Sequence, residues 1–365
     1  MISTGRTMPS FVVLSTMLVL GGGTATMAAD TKAAARAAGD KSGVQLVVKE
    51  ADRRVDVLVD GQPFTSYIWP TTLKKPVLYP LRTSAGTVVT RGYPLEPRAG
   101  ERVDHPHHVG LWLNHGDVNG LDFWNNSEAI PAKDAAKYGT IVHRAVKSTK
   151  GGPDRGELQV TMDWMTPEGK ALLREDTTFV FHAGPGLRAV DRFTTLTALD
   201  QRVVFNDSKE GMIGLRVTRA LEQPSDKAEI FTDAGGKATA VAKLDNTGVT
   251  GRYTSSEGKT GDAVWATRAP WTMLSGTIGS EPVTIAILDH PKNPTYPTYW
   301  HARGYGLFAA NPFGAKAYTD GKTETSFALE PKQSVSLKHR ILILSGPTTP
   351  QQLEAQYKKF TDEVK

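Results

Sequence analysis

Short runs in which apolar and polar residues alternate recur along most of the chain. The run LRAVDRFTTL at residues 187–196 has this period of two, which is typical of a strand with one face in water. Turn signals such as Asp60-Gly61 separate the runs. The predicted strands lie at residues 44–48, 54–59, 139–146, 156–164, 176–181, 186–196, 211–220, 283–289 and 333–343. We therefore expect an all-β fold, a large antiparallel β-sandwich, and not a Rossmann or TIM fold.

One helix is predicted at the end of the chain. Thr349 can serve as the N-cap, Pro350 occupies the first helical position, and Gln352 stands where a capping box needs it. Three apolar side chains then recur at helical spacing, namely Leu353, Tyr357 and Phe360. No change in composition and no long linker divides residues 44–365, so we expect a single domain there.

The first 43 residues are predicted to lie outside this domain. Residues 1–29 combine Arg6, an apolar stretch of about ten residues and small residues ending at Ala28-Ala29, the pattern of a signal peptide. An uncleaved anchor is the alternative, but the apolar stretch is short for a bilayer, and no later segment could cross one. Residues 30–43 read as a flexible leader. We therefore expect an exported protein, periplasmic or secreted, without an integral membrane span.

Composition narrows the chemistry further. The 365 residues contain no cysteine, which excludes disulfides, thiolate metal sites and a cysteine nucleophile. The formal net charge of +5 is spread along the chain without a basic run, so nucleic acid is not an expected partner. Phosphate-binding glycine motifs of nucleotide enzymes are absent from the sequence. The expected cofactor is none or a divalent metal ion.

Four of the nine histidines fall within eleven residues, His105, His107, His108 and His115. If this segment is extended, His105 and His107 point to one face and His108 to the other. Two imidazoles on one face could bind a metal ion, act as acid and base, or hold a polar substrate. The alternative for any one of them is a buried, hydrogen-bonded structural role.

Aromatic, amide and carboxylate residues surround this cluster. Such residues suit sugars, because sugar rings have apolar faces that stack on indoles and hydroxyls that need polar partners. The candidate substrate-binding residues of this stretch are Trp112, His115, Asn119, Asp122 and Trp124.

Two further segments contain candidate site residues. His301, Arg303 and Tyr305 alternate, so an extended chain would aim all three the same way, with Asn311 following. They could bind a carboxylate or stabilise an oxyanion, or else form a salt bridge and a strand-edge contact. Lys209 and Glu210 stand at the start of a predicted strand, where Glu210 could be a general base or one half of a solvated pair.

Three strings together resemble a known family: DHPHHVGLWLNHGDVNGLDFW, KEGMIGLRV and WHARGYGLFAANPFG. In this order they resemble exported bacterial proteins of unknown function that are labelled PmoA-like or methane oxygenase PmoA, over about residues 50–345. The resemblance implies a galactose-mutarotase-like supersandwich and an association with carbohydrate use. A methane monooxygenase subunit is an integral membrane protein, and this chain shows no spanning segment after residue 29.

The leading hypothesis is an exported carbohydrate-active enzyme, a glycoside hydrolase, lyase or epimerase acting on a small sugar or an oligosaccharide. His107 or His108 would be the acid or base, Glu210 or His301 its partner, and Arg303 would bind substrate oxygen. Trp112 and Trp124 would stack on the ring. The alternatives are an enzyme with a metal ion on His105 and His107, and a non-catalytic sugar-binding or surface protein. A true methane oxygenase is the least favoured.

Overall fold

Two antiparallel sheets of eight strands each form a sandwich in this computed structural model, which describes residues 42–365. The first ten strands are β1 (Val44–Lys49), β2 (Arg54–Val59), β3 (Gln62–Ile68), β4 (Val77–Leu78), β5 (Leu111–His115), β6 (Thr140–Lys150), β7 (Arg155–Met165), β8 (Ala171–Gly184), β9 (Leu187–Ala198) and β10 (Val203–Phe205). The second ten are β11 (Gly211–Arg216), β12 (Glu229–Thr232), β13 (Ala238–Val241), β14 (Arg252–Ser255), β15 (Trp271–Ile278), β16 (Glu281–Asp289), β17 (Tyr299–Arg303), β18 (Leu307–Asn311), β19 (Phe327–Leu329) and β20 (Ser334–Ser345).

The strand order places distant segments of the chain side by side. The first sheet runs β1-β2-β3-β4-β5-β11-β18-β17, and the second runs β14-β15-β16-β20-β9-β8-β7-β6. Two short pairs, β10-β19 and β12-β13, lie outside these sheets. The predicted all-β antiparallel sandwich is therefore confirmed. Some boundaries differ from the prediction: the strand predicted over residues 211–220 ends at Arg216, with a 3₁₀ turn at Arg219–Leu221, and the strand predicted over residues 176–181 extends over Ala171–Gly184.

One large apolar core fills the space between the sheets. Inward positions alternate with outward ones, so that Leu111 and Leu113 of β5 enter this core while Trp112 between them joins a separate cluster on the outer face. Burial of apolar side chains from both inner faces is the main source of stability in such a sandwich. The outer face of the first sheet is left free to carry other residues.

The terminal helix, α1 (Pro350–Glu363), packs on the outer face of the second sheet. Thr349 accepts a hydrogen bond from the Gln352 backbone N–H, and the Gln352 side chain accepts one from the Thr349 backbone N–H. The predicted capping box and short C-terminal helix are thus present. The three apolar residues predicted on one helical face are all buried, Leu353, Tyr357 and Phe360. Short 3₁₀ helices occur at Glu50–Asp52, Ala132–Lys137, Arg219–Leu221 and Gly261–Val264.

The predicted signal peptide at residues 1–29 and most of the predicted leader lie outside the described residues. Gly43, assigned to the leader from sequence, exchanges hydrogen bonds with Asp60 and so belongs to the start of the fold. Within residues 42–365, no helix combines the length and apolar character needed to cross a bilayer.

Replacing Thr349 by alanine should destabilise the protein by about 1 kcal/mol, because the first turn of α1 loses its side-chain acceptor. Urea denaturation followed by tryptophan fluorescence measures this change in the free energy of unfolding. Thr349→Ser keeps the acceptor and should leave stability near that of the parent. Equal stability of the alanine and serine variants would contradict the role assigned to the cap.

Candidate functional site

A row of residues on the outer face of the first sheet forms the base of the site. The register aligns Trp112 of β5 with Gly214 of β11, Gly214 with Ala309 of β18, and Ala309 with His301 of β17. Directly opposed residues in antiparallel strands project to the same face. A Cβ on Gly214 would lie 2.5 Å from Trp112 Cζ2, so the indole covers this glycine. The two small residues leave room above the sheet between Trp112 and His301.

The three histidines at residues 105–108 lie in a loop, not in the extended segment that the alternation argument assumed. His105 has a positive φ of 41°, and the His108 backbone N–H donates to the His105 carbonyl at 3.0 Å, which closes a turn. The turn brings all three rings together: His105 stacks on His108 at 4.8 Å between centroids, and His107 meets His108 edge-on at 4.3 Å. The predicted split onto opposite faces is therefore wrong.

Buried cations hold this loop in place. Asp104 pairs with the guanidinium groups of Arg91 and Arg216, both nearly inaccessible to solvent, and with His105 Nδ1 at 2.8 Å. Arg91 also donates to the carbonyls of His105 and His108, at 2.9 and 3.1 Å. We call Arg91, Asp104 and Arg216 the ion cluster. Against the effect of burial, the hydrogen bond with His105 and the charges of Arg216 and Arg91 keep the pKa of the Asp104 carboxyl well below its usual range.

Lys75 is the third buried basic side chain that supports this loop. Its Nζ donates to the His107 carbonyl at 2.7 Å and lies 5.4 Å from the centroid of the Trp112 ring. Burial lowers the pKa of Lys75 to about 7. The sequence pattern does not single out Arg216, because a strand sequence does not show which loop each of its side chains supports.

The loop, β17 and the residues before β11 enclose a cavity of about 450 Å³, here called the histidine cavity. Ten residues line it: His105, His107, His108, Trp124, Asn125, Lys209, Glu210, His301, Arg303 and Tyr305. All but Asn125 were candidates from the sequence. Residues about 90 positions apart in the chain thus meet because β5, β11, β18 and β17 are neighbours in one sheet.

Five candidates do not line the histidine cavity. Trp112 is fully buried and stacks on His108 at 5.3 Å, so it supports the cavity from below. His115 lies on the core side of β5, where its Nε2 is 2.7 Å from the Asn206 carbonyl and its ring contacts Phe205. Leu113 and His115 share that face, so the same period of two that predicted the strand also separates His115 from Trp112.

The other three hold loops. Asn119 stands in a turn, with Oδ1 accepting from Val204 N at 2.7 Å. Asp122 accepts from both the backbone and the side chain of Asn125, at 2.9 and 2.7 Å, and so positions that cavity residue. Asn311 donates to the Ser208 carbonyl at 2.8 Å, which fixes the segment ahead of Glu210.

Glu210 is the one carboxylate among the lining residues of the histidine cavity. Its side chain is 16% exposed, with Oε1 3.3 Å from Lys209 Nζ and Oε2 3.6 Å from His301 Nδ1. Burial raises the pKa of Glu210, and the charge of Lys209 only partly opposes this effect. The carboxylate is therefore reachable from the cavity and more basic than an exposed glutamate.

The buried histidines of the cavity are neutral at physiological pH. Burial, reinforced by nearby cations, lowers the pKa of His107 to about 2 and of His301 to about 3, and places that of His108 well below its usual value. Arg216 Nη1 lies 3.2 Å from His108 Nδ1. Because a guanidinium can only donate, Nδ1 is the acceptor and the proton of His108 sits on Nε2.

Several buried nitrogens around the cavity make no hydrogen bond with any of the described residues. They are His107 Nε2, His108 Nε2, His301 Nδ1 and Trp124 Nε1. Buried polar atoms normally have a protein or water partner, so this concentration marks a place where a polar ligand would restore hydrogen bonds. In residues 42–365, no group of three or more His, Asp or Glu side chains is arranged to hold a metal ion. A metal on His105 and His107 stays a prediction.

A second cavity of about 510 Å³ adjoins the first, and Arg303 and Tyr305 line both. Trp265 lies on its wall, with the Arg303 guanidinium 4.6 Å from the ring centroid. Sequence reasoning missed Trp265, which follows a 3₁₀ turn far from either motif. We call this space the adjoining cavity.

Solved structures that match this chain, all at low similarity, include proteins whose names refer to sugars. The GH36 alpha-galactosidase AgaB from Geobacillus stearothermophilus is 6% identical, with a TM-score of 0.35 over 83% of this chain and 41% of that one. A putative aldose 1-epimerase from Escherichia coli K12 is 10% identical, with a TM-score of 0.29 over 84% of this chain and 99% of that one. The Slr1438 protein from Synechocystis sp. PCC 6803 is 11% identical, with a TM-score of 0.31 over 84% and 96% of the two chains.

This chain spans about two fifths of the length of the first solved structures it matches. The described residues form the antiparallel two-sheet sandwich that the sequence predicted, and the galactose-mutarotase-like supersandwich implied by the motifs stays a prediction. A comparison with curated protein sequences finds no match. The expectation of a family of unknown function is confirmed, but nothing supports the PmoA label. A family model covers residues 54–358, and the chain therefore belongs to DUF6807, a family of unknown function.

Proposed function

We propose that this protein is a carbohydrate-active enzyme that transfers protons at a sugar by acid–base catalysis in the histidine cavity. The observation that carries the proposal is that the 105–108 histidines, Glu210 and the segment from His301 to Tyr305 line one cavity of about 450 Å³. A concave site with an aromatic wall, convergent polar groups and shifted pKa values is the usual signature of a small-molecule enzyme site.

Glu210 is the proposed general base. A base works best when its pKa lies near the working pH, and burial moves the pKa of Glu210 in that direction. The buried histidines are too weakly basic to compete with it, because the pKa of His107 is lowered to about 2, that of His301 to about 3, and that of His108 well below its usual value. We therefore assign the role of general base to Glu210 and not to His107 or His108.

The neutral histidines are proposed to act as hydrogen-bond donors to oxygen. His108 carries its proton on an unpaired Nε2, so it can stabilise negative charge that develops on a sugar oxygen. A neutral imidazole serves as such an electrophile in other enzymes when its surroundings prevent protonation. Trp124, whose indole N–H is also unpaired, supplies the aromatic wall.

The number of carboxylates that line the histidine cavity favours some reaction classes over others. Most glycoside hydrolases need two carboxyl groups flanking the scissile bond. Asp104 is held in the ion cluster and Asp122 is hydrogen-bonded to Asn125, so neither lines the cavity and Glu210 is alone there. We therefore favour epimerisation, mutarotation or elimination over hydrolysis, since in these reactions Glu210 can take a proton from the sugar and, as a carboxylic acid, return it to the product or to the leaving group.

Nuclear magnetic resonance in D₂O tests this proposal with three sets of compounds: free hexoses, uronic acids and methyl glycosides. Equilibration of a pure anomer faster than in buffer indicates mutarotation. Deuterium at a ring carbon, or an unsaturated product, indicates epimerisation or elimination. Methanol release as the main event, or no turnover of any compound, would count against it.

Glu210→Gln should lower kcat by about 10²–10⁴-fold, because the general base is removed while the shape of the side chain is kept. The assay is initial rate on whichever compound is turned over, with thermal melting as the check on folding. Glu257→Gln changes the same functional group on an exposed turn and should leave the rate unchanged. A fully active Glu210→Gln enzyme would exclude Glu210 as the base.

The pH profile should reveal the raised pKa of Glu210. The base is active only when deprotonated, so kcat/KM should fall as pH drops through a pKa above the ordinary glutamate value of about 4.3. Lys209 lowers this pKa, so Lys209→Gln should move the acid limb to higher pH and Lys209→Arg should leave it in place. An acid limb that stays fixed in the glutamine variant would contradict the assignment.

We also propose that residues 1–29 direct export. The support is the sequence pattern of a basic residue, a short apolar stretch and small residues before Asp30. Expression in a Gram-negative host, followed by fractionation and N-terminal sequencing, should give a periplasmic chain that starts near residue 29 or 30. A full-length chain in the cytoplasm would contradict this proposal.

A further inference from the structure

The Arg303 guanidinium differs from the other arginines of the site in having no partner. The buried arginines Arg91 and Arg216 share Asp104, and Arg102 pairs with Glu222 and Glu229. Among residues 42–365, no hydrogen bond or ion pair is made by the Arg303 guanidinium, whose close neighbours are the rings of Trp265 and Tyr305 at 4.6 and 5.8 Å. All five of its N–H donors are therefore available.

These two rings and the position of the strand fix where the donors lie. Arg303 is the last residue of β17, two positions after His301, so both side chains leave the sheet on the same face. Aromatic faces hold a guanidinium flat while leaving its edge free for hydrogen bonds. Arg303 lines both the histidine cavity and the adjoining cavity, and its edge stands at their junction.

The charges of the two cavities differ. The adjoining cavity is lined by equal numbers of cationic side chains and carboxylates. The cations are Arg102, Lys227 and Arg303, and the carboxylates are Asp226, Glu229 and Asp262. The histidine cavity has Lys209 and Arg303 against Glu210 alone. Its three buried histidines are neutral, namely His107, His108 and His301. The ion cluster behind its wall has two guanidinium groups for one carboxylate. Positive charge is thus in excess on the histidine side.

We infer that the substrate is an acidic sugar whose carboxylate binds Arg303 from the histidine-cavity side, as a uronic acid residue would. This inference rests on the proposed function and names its substrate class. A planar carboxylate matches the planar fork of a guanidinium, which can donate two parallel hydrogen bonds to it. The neutral remainder of a larger substrate would extend into the adjoining cavity, where polar groups of both signs are present.

The chemistry of such a substrate agrees with a single base. A hydrogen on the ring carbon next to a carboxylate is more acidic than other ring hydrogens, and a cation on the carboxylate increases that acidity. Glu210 and Arg303 line the same cavity, so proton removal and charge stabilisation could act on adjacent atoms. A neutral hexose offers no such acidic C–H.

Isothermal titration calorimetry tests the inference on the full chain with matched probes. Each of D-glucuronate, D-galacturonate and D-mannuronate is compared with its uronamide and with the parent hexose, and glucose 6-phosphate represents the other common anionic sugar. At least one uronate should bind about tenfold or more tighter than its uronamide, as expected for charge-assisted hydrogen bonds.

Two substitutions locate that preference. Arg303→Gln should abolish the preference for uronate over uronamide, and Arg303→Lys should keep part of it, because the charge remains and the fork is lost. Arg155→Gln removes an exposed arginine at the start of β7 and should leave the preference unchanged. Circular dichroism confirms folding of each variant.

The outcomes separate the two proposals. Equal binding of uronate and uronamide, tighter binding of glucose 6-phosphate, or an equal loss for all probes in Arg303→Gln would overturn the inference. Glu210-dependent turnover of a neutral sugar without any carboxylate preference would leave the proposed function standing and reject the acidic substrate. An Arg303-dependent uronate preference without turnover would support the acidic ligand and reject the proposed enzymatic function.

Discussion

The carboxylate of Asp104, shared by the buried guanidinium groups of Arg91 and Arg216, is the interaction on which the candidate site depends. Burying one carboxylate between two cations is favourable only when hydrogen bonds satisfy the remaining donors. Here Arg91 Nη2 donates to two carbonyls of the 105–108 loop and Arg216 Nη1 donates to His108, while the Nε atoms of both arginines have no hydrogen-bond partner among the described residues. One cluster therefore fixes the loop backbone, the position of His105 and the tautomer of His108 at the same time.

The same cations help to keep the buried imidazoles of the cavity uncharged. Desolvation and the positive ion cluster both disfavour protonation of His107 and His108. Glu210 is subject to the opposite effect, because burial disfavours its charged form. The two kinds of group are thereby separated into neutral donors and one basic carboxylate. This division, more than the number of histidines, gives the cavity its chemical character.

Much of the fold could be predicted because it depends on local rules. Period-two alternation located the long strands, the Asp60-Gly61 turn joins β2 to β3 as expected, and Thr349 with Gln352 marked the start of α1. The end of β11 was missed because Val217 continues the apolar pattern while the chain already turns. His115 was misplaced in the site although alternation from Trp112 puts it on the core side. The error came from treating the histidine cluster as one unit.

The sequence by itself predicted the long strands and the terminal helix and singled out two motifs as candidate sites, since periodicity and capping are properties of neighbouring residues. Only the tertiary structure decided that the motifs face one cavity, because the order β5-β11-β18-β17 brings together segments far apart in the chain. It also decided which carboxylate lines that cavity. Asp104, Asp122 and Glu210 look alike in sequence, and a carboxylate's role depends on the partners and solvent that surround it in three dimensions.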